Sequence, residues 1–443
     1  MKEQMNEGIF DARKQLGWPK TIVLGLQHLF AMFGATVLVP ALTGLSVSAT
    51  LLFAGIGTLM FHFITKRKVP AFLGSSFAFL VGYWAIAPNK EPELLPYACI
   101  GVAAAGLMYV ILSGLFKAFG TKKVMRFFPP IVTGPIIIAI GLTLSSTAIN
   151  NCTTNWWLAL VAILVVIVCN IWGKGMLKIV PILLGVVVSY VIAAVTGQVD
   201  FTAVAEADWV GLPFAWKNTA FSVFRDLDVS LLITAIITIL PISLATMVEH
   251  IGDVCAISST CGKNYIDDPG LHRTLLGDGL ATFTAALFGA PANTTYGENT
   301  GVLALSKVYD PFVIRIAAVF AMLLSFSPKF AALISAMPGG TIGGVSLVLY
   351  GMISAVGVRN VVENKVDFTK SRNVIIAALI LVLSIGIHYS IGSIAFTIGS
   401  ITIKLSGLAV GALVGILLNA VLPGKDYEFG TDAQGDTSVN FKV

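Results

Sequence analysis

Three carboxylates stand in stretches of chain that are otherwise apolar: Glu249 and Asp253 within 229–254, and Glu298 at the head of 298–308. Holding an ionised side chain in a bilayer core costs about 3 kcal/mol or more, so such residues face a protein interior or a wet cavity and mark function by default. Glu249 and Asp253 are four apart and share one face of a helix. Two carboxylates so placed cannot both ionise cheaply, and the pair is expected to hold and release a proton as one unit. A carboxylate accepts the N–H groups of a planar heterocycle while backbone N–H groups donate to its carbonyls, so the two together would match an imide or amide ring on both edges. Gln27 and His28, in another apolar stretch, either orient that site or bridge helices, while Asp278, His62 and His388 read as structural or interfacial.

Other chemistries find no foothold. Five cysteines form no Cys-x-x-Cys pair and no zinc-like spacing with histidine. The sequence has no phosphate-cradling loop with its lysine, no Gly-x-Ser-x-Gly elbow and no His-x-x-x-His. An enzyme, a resident metal and a cofactor are therefore not expected.

The elements that must position these groups are interrupted ones. Residues 69–77 contain Pro70 and Gly74, and residues 289–301 contain Pro291, Asn293, Thr294, Thr295, Gly297 and Gly301, which disfavour a continuous helix. Each reads as a short extended stretch followed by a half-helix that starts within the membrane. Non-helical backbone at that depth survives only where it is packed in protein or lines a cavity. A helix start presents unpaired N–H groups and partial positive charge, which makes the N–H groups of Phe77 and Gly297 candidate donors, with Ser76 and Tyr296 beside them. A pair of re-entrant loops without a ligand is the alternative.

Composition supplies the solvent. Of 443 residues, 56% are hydrophobic and 12% charged, about half the charge of a soluble domain. Mean hydropathy is +0.88. Apolar stretches lie at 21–40, 48–64, 71–88, 95–116, 128–148, 156–172, 178–196, 229–254, 274–290, 298–308, 311–337, 340–357, 373–388 and 405–422. With the N-terminus inside, fourteen crossings put 22 of the 28 Lys and Arg in cytoplasmic loops, as the positive-inside rule asks. The net charge of +5 thus reads as loop charge, not as a nucleic-acid surface. The charged first twenty residues read as a retained cytoplasmic segment and not as a cleavable signal. The acidic, aromatic loop after 197 divides the chain into halves of seven segments, and an odd number makes the second half run inverted, a transporter signature. At an offset of 222, Gln27 and His28 meet Glu249 and His250, and Ser76 meets Glu298.

At these positions the chain resembles the nucleobase-ascorbate transporter family. The likeness is carried by Gln27 to Gly34, Pro70 to Phe79, Glu249 to Gly252, Asp268 to Arg273, Asn293 to Gly301 and Gly343 to Leu347. The family signature stands as Glu298-Asn299-Thr300-Gly301 with Ser306-Lys307. The resemblance implies an all-α polytopic protein of the cytoplasmic (inner) membrane: fourteen spans in a 7+7 inverted repeat, short strands before two half-helices, and both termini inside. It divides the chain into an N-terminal segment (1–20), a core domain (21–118 and 229–337), a gate domain (119–197 and 338–422), an external loop (198–228) and a tail (423–443). It implies elevator-like, proton-coupled uptake of a nucleobase, uracil first and xanthine, urate or another purine next, by homodimers that meet through their gates. Substrate contacts would come from Glu249, Glu298, Ser76, the backbone at Phe77 and Gly297, and the ring of Tyr296. Asp253, Glu249 and His28 would handle protons, with Gln27, His250 and Asn299 in support. In one place the chain departs from the family: Asp253 stands where a histidine follows the Glu–His pair by one turn.

Overall fold

Helix starts and stops follow capping chemistry that is visible in the sequence. The computed structural model describes residues 8–398, 401–425 and 427. The first half runs α1 (Ala12–Thr43), α2 (Val47–Ile64), β1 (Leu73–Ser75), α3 (Leu80–Ile86), α4 (Leu95–Phe119), α5 (Thr121–Met125), α6 (Pro130–Thr154), α7 (Trp156–Ile171), α8 (Met176–Ile179) and α9 (Pro181–Val195). A surface turn, α10 (Thr202–Glu206), leads to α11 (Val229–Ile239), α12 (Ile242–Cys261), α13 (Leu271–Leu287), β2 (Asn293–Thr295) and α14 (Gly297–Ser306). The chain ends in α15 (Pro311–Ser325), α16 (Pro328–Ser335), α17 (Gly339–Glu363), α18 (Ser371–Ser390), a hairpin of β3 (Ser393–Ile398) and β4 (Ile401–Ser406), and α19 (Gly407–Val421). Ser46, Asn155, Asp228 and Ser406 each accept N–H groups at a helix start. Gly44 and Gly262 close α1 and α12 in the left-handed conformation that glycine adopts freely.

All fourteen apolar stretches are occupied by helices or by a strand with its helix, but several have a shape that hydropathy does not convey. Among the described residues, seven helical segments are long and apolar enough to cross a membrane, and α7, α9 and α19 are shorter apolar helices. The stretch 311–337 is two helices bent by 89° where Ser327 starts α16. The stretch 229–254 breaks between α11 and α12 at Leu240–Pro241. The stretch 71–88 keeps only seven helical residues, since 73–75 is strand and residues 77–79 form a tighter turn. The first helix begins at Ala12, inside the expected N-terminal segment, and is broken at Gly17. Between the last two stretches hydropathy points to no element, yet β3 and β4 pair there, and β4 leans on α11 and α3.

Two three-residue strands meet at the centre. β1 pairs antiparallel with β2, Leu73 opposite Thr295, Gly74 opposite Thr294 and Ser75 opposite Asn293. The local two-fold of this pair relates residue 73 to 293, an offset of 220 in place of 222, so Ala78 and not Ser76 is the counterpart of Glu298.

Helices pack closely where residues are small. In α17, a Cβ on Gly344 would lie 2.7 Å from Ala159 Cα of α7, far inside contact distance. Without water to expel between helices, such close packing is a main source of cohesion in lipid. Large side chains including Phe63, Trp157, Val195 and Leu323 stay exposed on the outer surface, an apolar belt suited to lipid. Gly344→Ala should therefore overpack the α17–α7 contact by about 1–3 kcal/mol. We expect a lower thermal unfolding midpoint for the purified variant; an unchanged midpoint would show that the helices separate freely.

Candidate functional site

Each strand at the centre is held by side chains from neighbouring helices, which answers the demand for hydrogen bonds in a dry interior. Leu73 N–H donates to Thr58 Oγ1 (2.9 Å), Ser75 Oγ–H to Thr36 O (2.7 Å) and Thr282 Oγ1–H to Asn293 O (2.7 Å). Asn293 Nδ2 reaches Phe53 O (2.9 Å), and His62 Nε2 lies 2.8 Å from Ala71 O. The ladder is extended at both ends, from Ser76 N–H to Ala292 O (2.8 Å) and from Tyr296 N–H to Phe72 O (3.0 Å). Gly74 is required here, because a Cβ would lie 2.5 Å from the Tyr296 ring and 2.8 Å from Thr36 Oγ1. The strands thus aim two chain segments at one point, and α14 starts immediately after β2.

A cavity of about 450 Å³ opens at that point. One wall is α12 and α14: Glu249, Gly252, Asp253 and Tyr296 to Glu298, with Phe77 beside them. The other is Ile137 of α6, Val180 to Leu183 at the start of α9, and Leu349 to Val356 of α17. The three carboxylates predicted from sequence therefore face one space. Glu249 Oε2 is buried without a partner. Asp253 points at the start of α14, where a Cβ on Gly297 would lie 3.9 Å from its Oδ1. Gly297 is exposed to the cavity, and the first four N–H groups of α14 have no intrahelical acceptor. Buried acceptors and free donors thus converge across a volume typical of small-molecule sites.

The supporting residues lie behind this surface. His28 is fully buried and does not line the cavity; its Nδ1 and backbone oxygen both lie 3.1 Å from Asn299 Nδ2, so it holds α14 against α1. His250 Nδ1 lies 3.0 Å from Thr295 Oγ1 and 3.1 Å from Asp278 Oδ2, all buried, which fastens α12 and α13 to β2. Gln27 is buried on α1 away from the cavity, and the Ser76 hydroxyl is buried with no partner and also outside the lining. Tyr296 lines the cavity, while its hydroxyl donates to Ser75 O (2.9 Å) and lies 3.3 Å from both Thr36 Oγ1 and Ser75 Oγ.

Sequence reasoning missed the opposite wall. Leu349, Met352, Ile353 and Val356 of α17 line it, and the Tyr350 ring beside them stands edge-on to Phe77 at 5.6 Å. At the mouth, Arg359 Nε meets Glu363 Oε1 at 2.6 Å, with Lys178, Asn170 and Asn360 around it. The four-residue spacing of Arg359 and Glu363 was a legible signal of a helix pair; nothing in it located the cavity.

A model described as a permease family, Xan_ur_permease, matches residues 19–393. The uracil permease of Bacillus caldolyticus is 41% identical over 430 residues, 95% of this chain and 96% of that protein. That of Bacillus subtilis (strain 168) is 38% identical over 454 residues, 99% and 98% of the two chains. The solved structure of SLC26A9 superposes with a TM-score of 0.66 at 12% identity, covering 93% of this chain and 66% of the other. The transmembrane domain of the cyanobacterial bicarbonate transporter BicA gives 0.56 at 15%, covering 93% and 99%. At those identities the two structures speak to the fold alone.

The Tyr296 hydroxyl gives a clean test of the strand scaffold. Tyr296→Phe keeps the ring in the cavity and leaves Ser75 O without that donor, at a cost of about 1–3 kcal/mol. The variant should unfold at lower temperature in the absence of any ligand; an unaltered midpoint would mean that the bond contributes nothing to the crossing.

Proposed function

The chain belongs to this permease family, and we propose that it carries uracil across the cytoplasmic membrane together with protons. It is a transport protein and not an enzyme. The observation that supports the substrate most directly is the meeting of three carboxylates with the start of α14 in one cavity. A pyrimidine dione presents ring N–H groups for Glu249 and Glu298 to accept, and carbonyls for the N–H groups at Gly297 and Phe77. Tyr296 and Phe77 line the same wall and add aromatic surface for the ring to pack on. Relatives that bear the name uracil permease over nearly their whole length favour uracil over xanthine, urate or another purine. An anion carrier on the same architecture would have to seat its cargo beside Glu249, Asp253 and Glu298, where like charges repel it.

Fourteen spans in two inverted halves of seven are the architecture we infer, with both termini cytoplasmic. In support, α2, α4, α13 and α15 pack on one another, as do α6, α7, α9 and α17, and the cavity lies between these two sets. The first set falls in the proposed core (21–118 and 229–337), the second in the proposed gate (119–197 and 338–422). The mouth at Lys178, Arg359 and Glu363 lies on the side that the Lys and Arg bias makes cytoplasmic, so this conformation is inward-open. The core would slide against a gate fixed by dimerisation, exposing the site to each side in turn. Glu249 and Asp253 would carry the proton; His28, shut behind α14, is better suited to holding Asn299.

A panel of radiolabelled nucleobases, offered to cells lacking their own carriers, tests the substrate: uracil should accumulate, and uptake of a purine alone would overturn the assignment. Glu249→Gln or Glu298→Gln should leave a folded protein that binds uracil at least about thirtyfold more weakly, the worth of one charge-assisted hydrogen bond of about 2 kcal/mol. Binding within threefold of wild type, against that thirtyfold expectation, would remove these residues from the site. Uptake should rise as external pH falls and collapse when a protonophore dissipates the gradient. Asp253→Asn should lose this accumulation more severely than equilibrium binding, because an amide mimics the protonated acid but cannot release the proton; undiminished pH-driven uptake would place the proton elsewhere.

A further inference from the structure

The helix that carries Glu298 is short and held from an unexpected quarter. α14 has ten residues, no side-chain cap at its start, and a last residue followed by Lys307 at φ 55°, a left-handed conformation that L side chains seldom adopt. Beyond it, the chain meets its own N-terminal segment. Ile9 N–H donates to Lys307 O (2.8 Å) and Tyr309 N–H donates to Ile9 O (2.7 Å). Asp310, only 7% exposed, divides its carboxylate between two helices: Oδ1 accepts Phe312 N–H of α15 (2.8 Å) and Oδ2 accepts Ala12 N–H of α1 (2.9 Å). Ala12, Val308 and Val313 form a small apolar cluster with Ile9, Leu16 and Leu24, separate from the main core.

The same segment reaches the end of α12. The Phe10 ring lies 5.4 Å from that of Tyr309, and Lys263 Nζ, directly after the Gly262 cap, stands 3.6 Å from the centroid of the Phe10 ring. Arg13 sits over Phe312 at 4.2 Å. A single stretch, residues 8–13, thus touches the ends of both helices whose carboxylates line the cavity: α14, with Glu298, and α12, with Glu249 and Asp253.

We propose that this stretch is a strap that sets the spacing of α12 and α14, and that Ile9, Phe10, Lys263 and Asp310 are positioning residues for the cavity without touching its contents. Helices of ten residues are marginal alone and take their placement from what packs on them. A shift of either end moves one carboxylate relative to the others and degrades a site that depends on their convergence. The proposal rests on the transport reading for its functional arm only.

The test uses the full-length protein with Phe10→Ala, Phe10→Tyr, Lys263→Gln and the Phe10→Ala/Lys263→Gln double variant. Phe10 is partly exposed, so its loss leaves the bundle folded. Phe10→Ala and Lys263→Gln should each weaken uracil binding about two- to fivefold, the worth of one cation–π contact, and the double variant should be no weaker than the worse single one. KM should rise with the maximal rate kept, and Phe10→Tyr should behave as wild type. Hydrogen exchange should quicken at the amides of α14 in Phe10→Ala while α2 stays as it was. Unchanged α14 exchange in both single variants overturns the strap. Wild-type protein that binds no nucleobase overturns the transport reading instead, and the exchange result then still decides the strap.

Discussion

Backbone polar groups buried in a membrane-embedded protein must find partners within the protein, and this constraint organises the centre of the molecule. Two interrupted segments, 220 residues apart, satisfy each other as a three-residue antiparallel ladder. Thr58 of α2 and Thr282 of α13 bond the strand backbone, while Ser75 and Asn293 donate from the strands to backbone oxygens of α1 and α2. Because the ladder is short and fully bonded, the chain can leave it at a fixed point and begin α14 with its N–H groups free. The open helix start at the cavity is a consequence of the closed hydrogen bonding behind it.

The charges follow the same logic. Glu249, Asp253 and Glu298 stand where two helices meet a cavity, while the histidines are spent on structure: His250 on Thr295 and Asp278, His28 on Asn299, His62 on Ala71. A buried ring nitrogen bonded to a strand or to a half-helix fixes the element that carries an acid without itself meeting solvent. Glu249 Oε2, by contrast, is buried beside the cavity without a partner. The opposing wall is mostly aliphatic, from Leu183 to Val356, and offers shape in place of hydrogen bonds.

Much of this was legible in sequence. The carboxylates betrayed themselves by their apolar neighbours, and Pro70, Gly74 and Pro291 marked where helices must fail. Hydropathy alone placed the starts of the stretches at 156 and 229 where α7 and α11 begin, each behind a capping residue, Asn155 and Asp228. These are local signals: the cost of a charge in lipid and the refusal of proline to join a helix depend on one residue and its immediate surroundings.

What the sequence left open involves distance along the chain. No local signal tells that Leu73 meets Thr295, that Asp278 closes on His250, or that the 311–337 stretch turns by 89°. Nor does it tell that the second wall of the cavity is Val180 to Leu183 with α17, or that residues 8–13 brace α14. Such contacts are chosen by mutual packing, in which small residues such as Gly344 admit a neighbour and large ones exclude it. The amino-acid sequence by itself determined which groups the protein would have to shelter from lipid; tertiary packing decided which of them would face one another, because that choice is made by shape across the whole bundle and not by any segment alone.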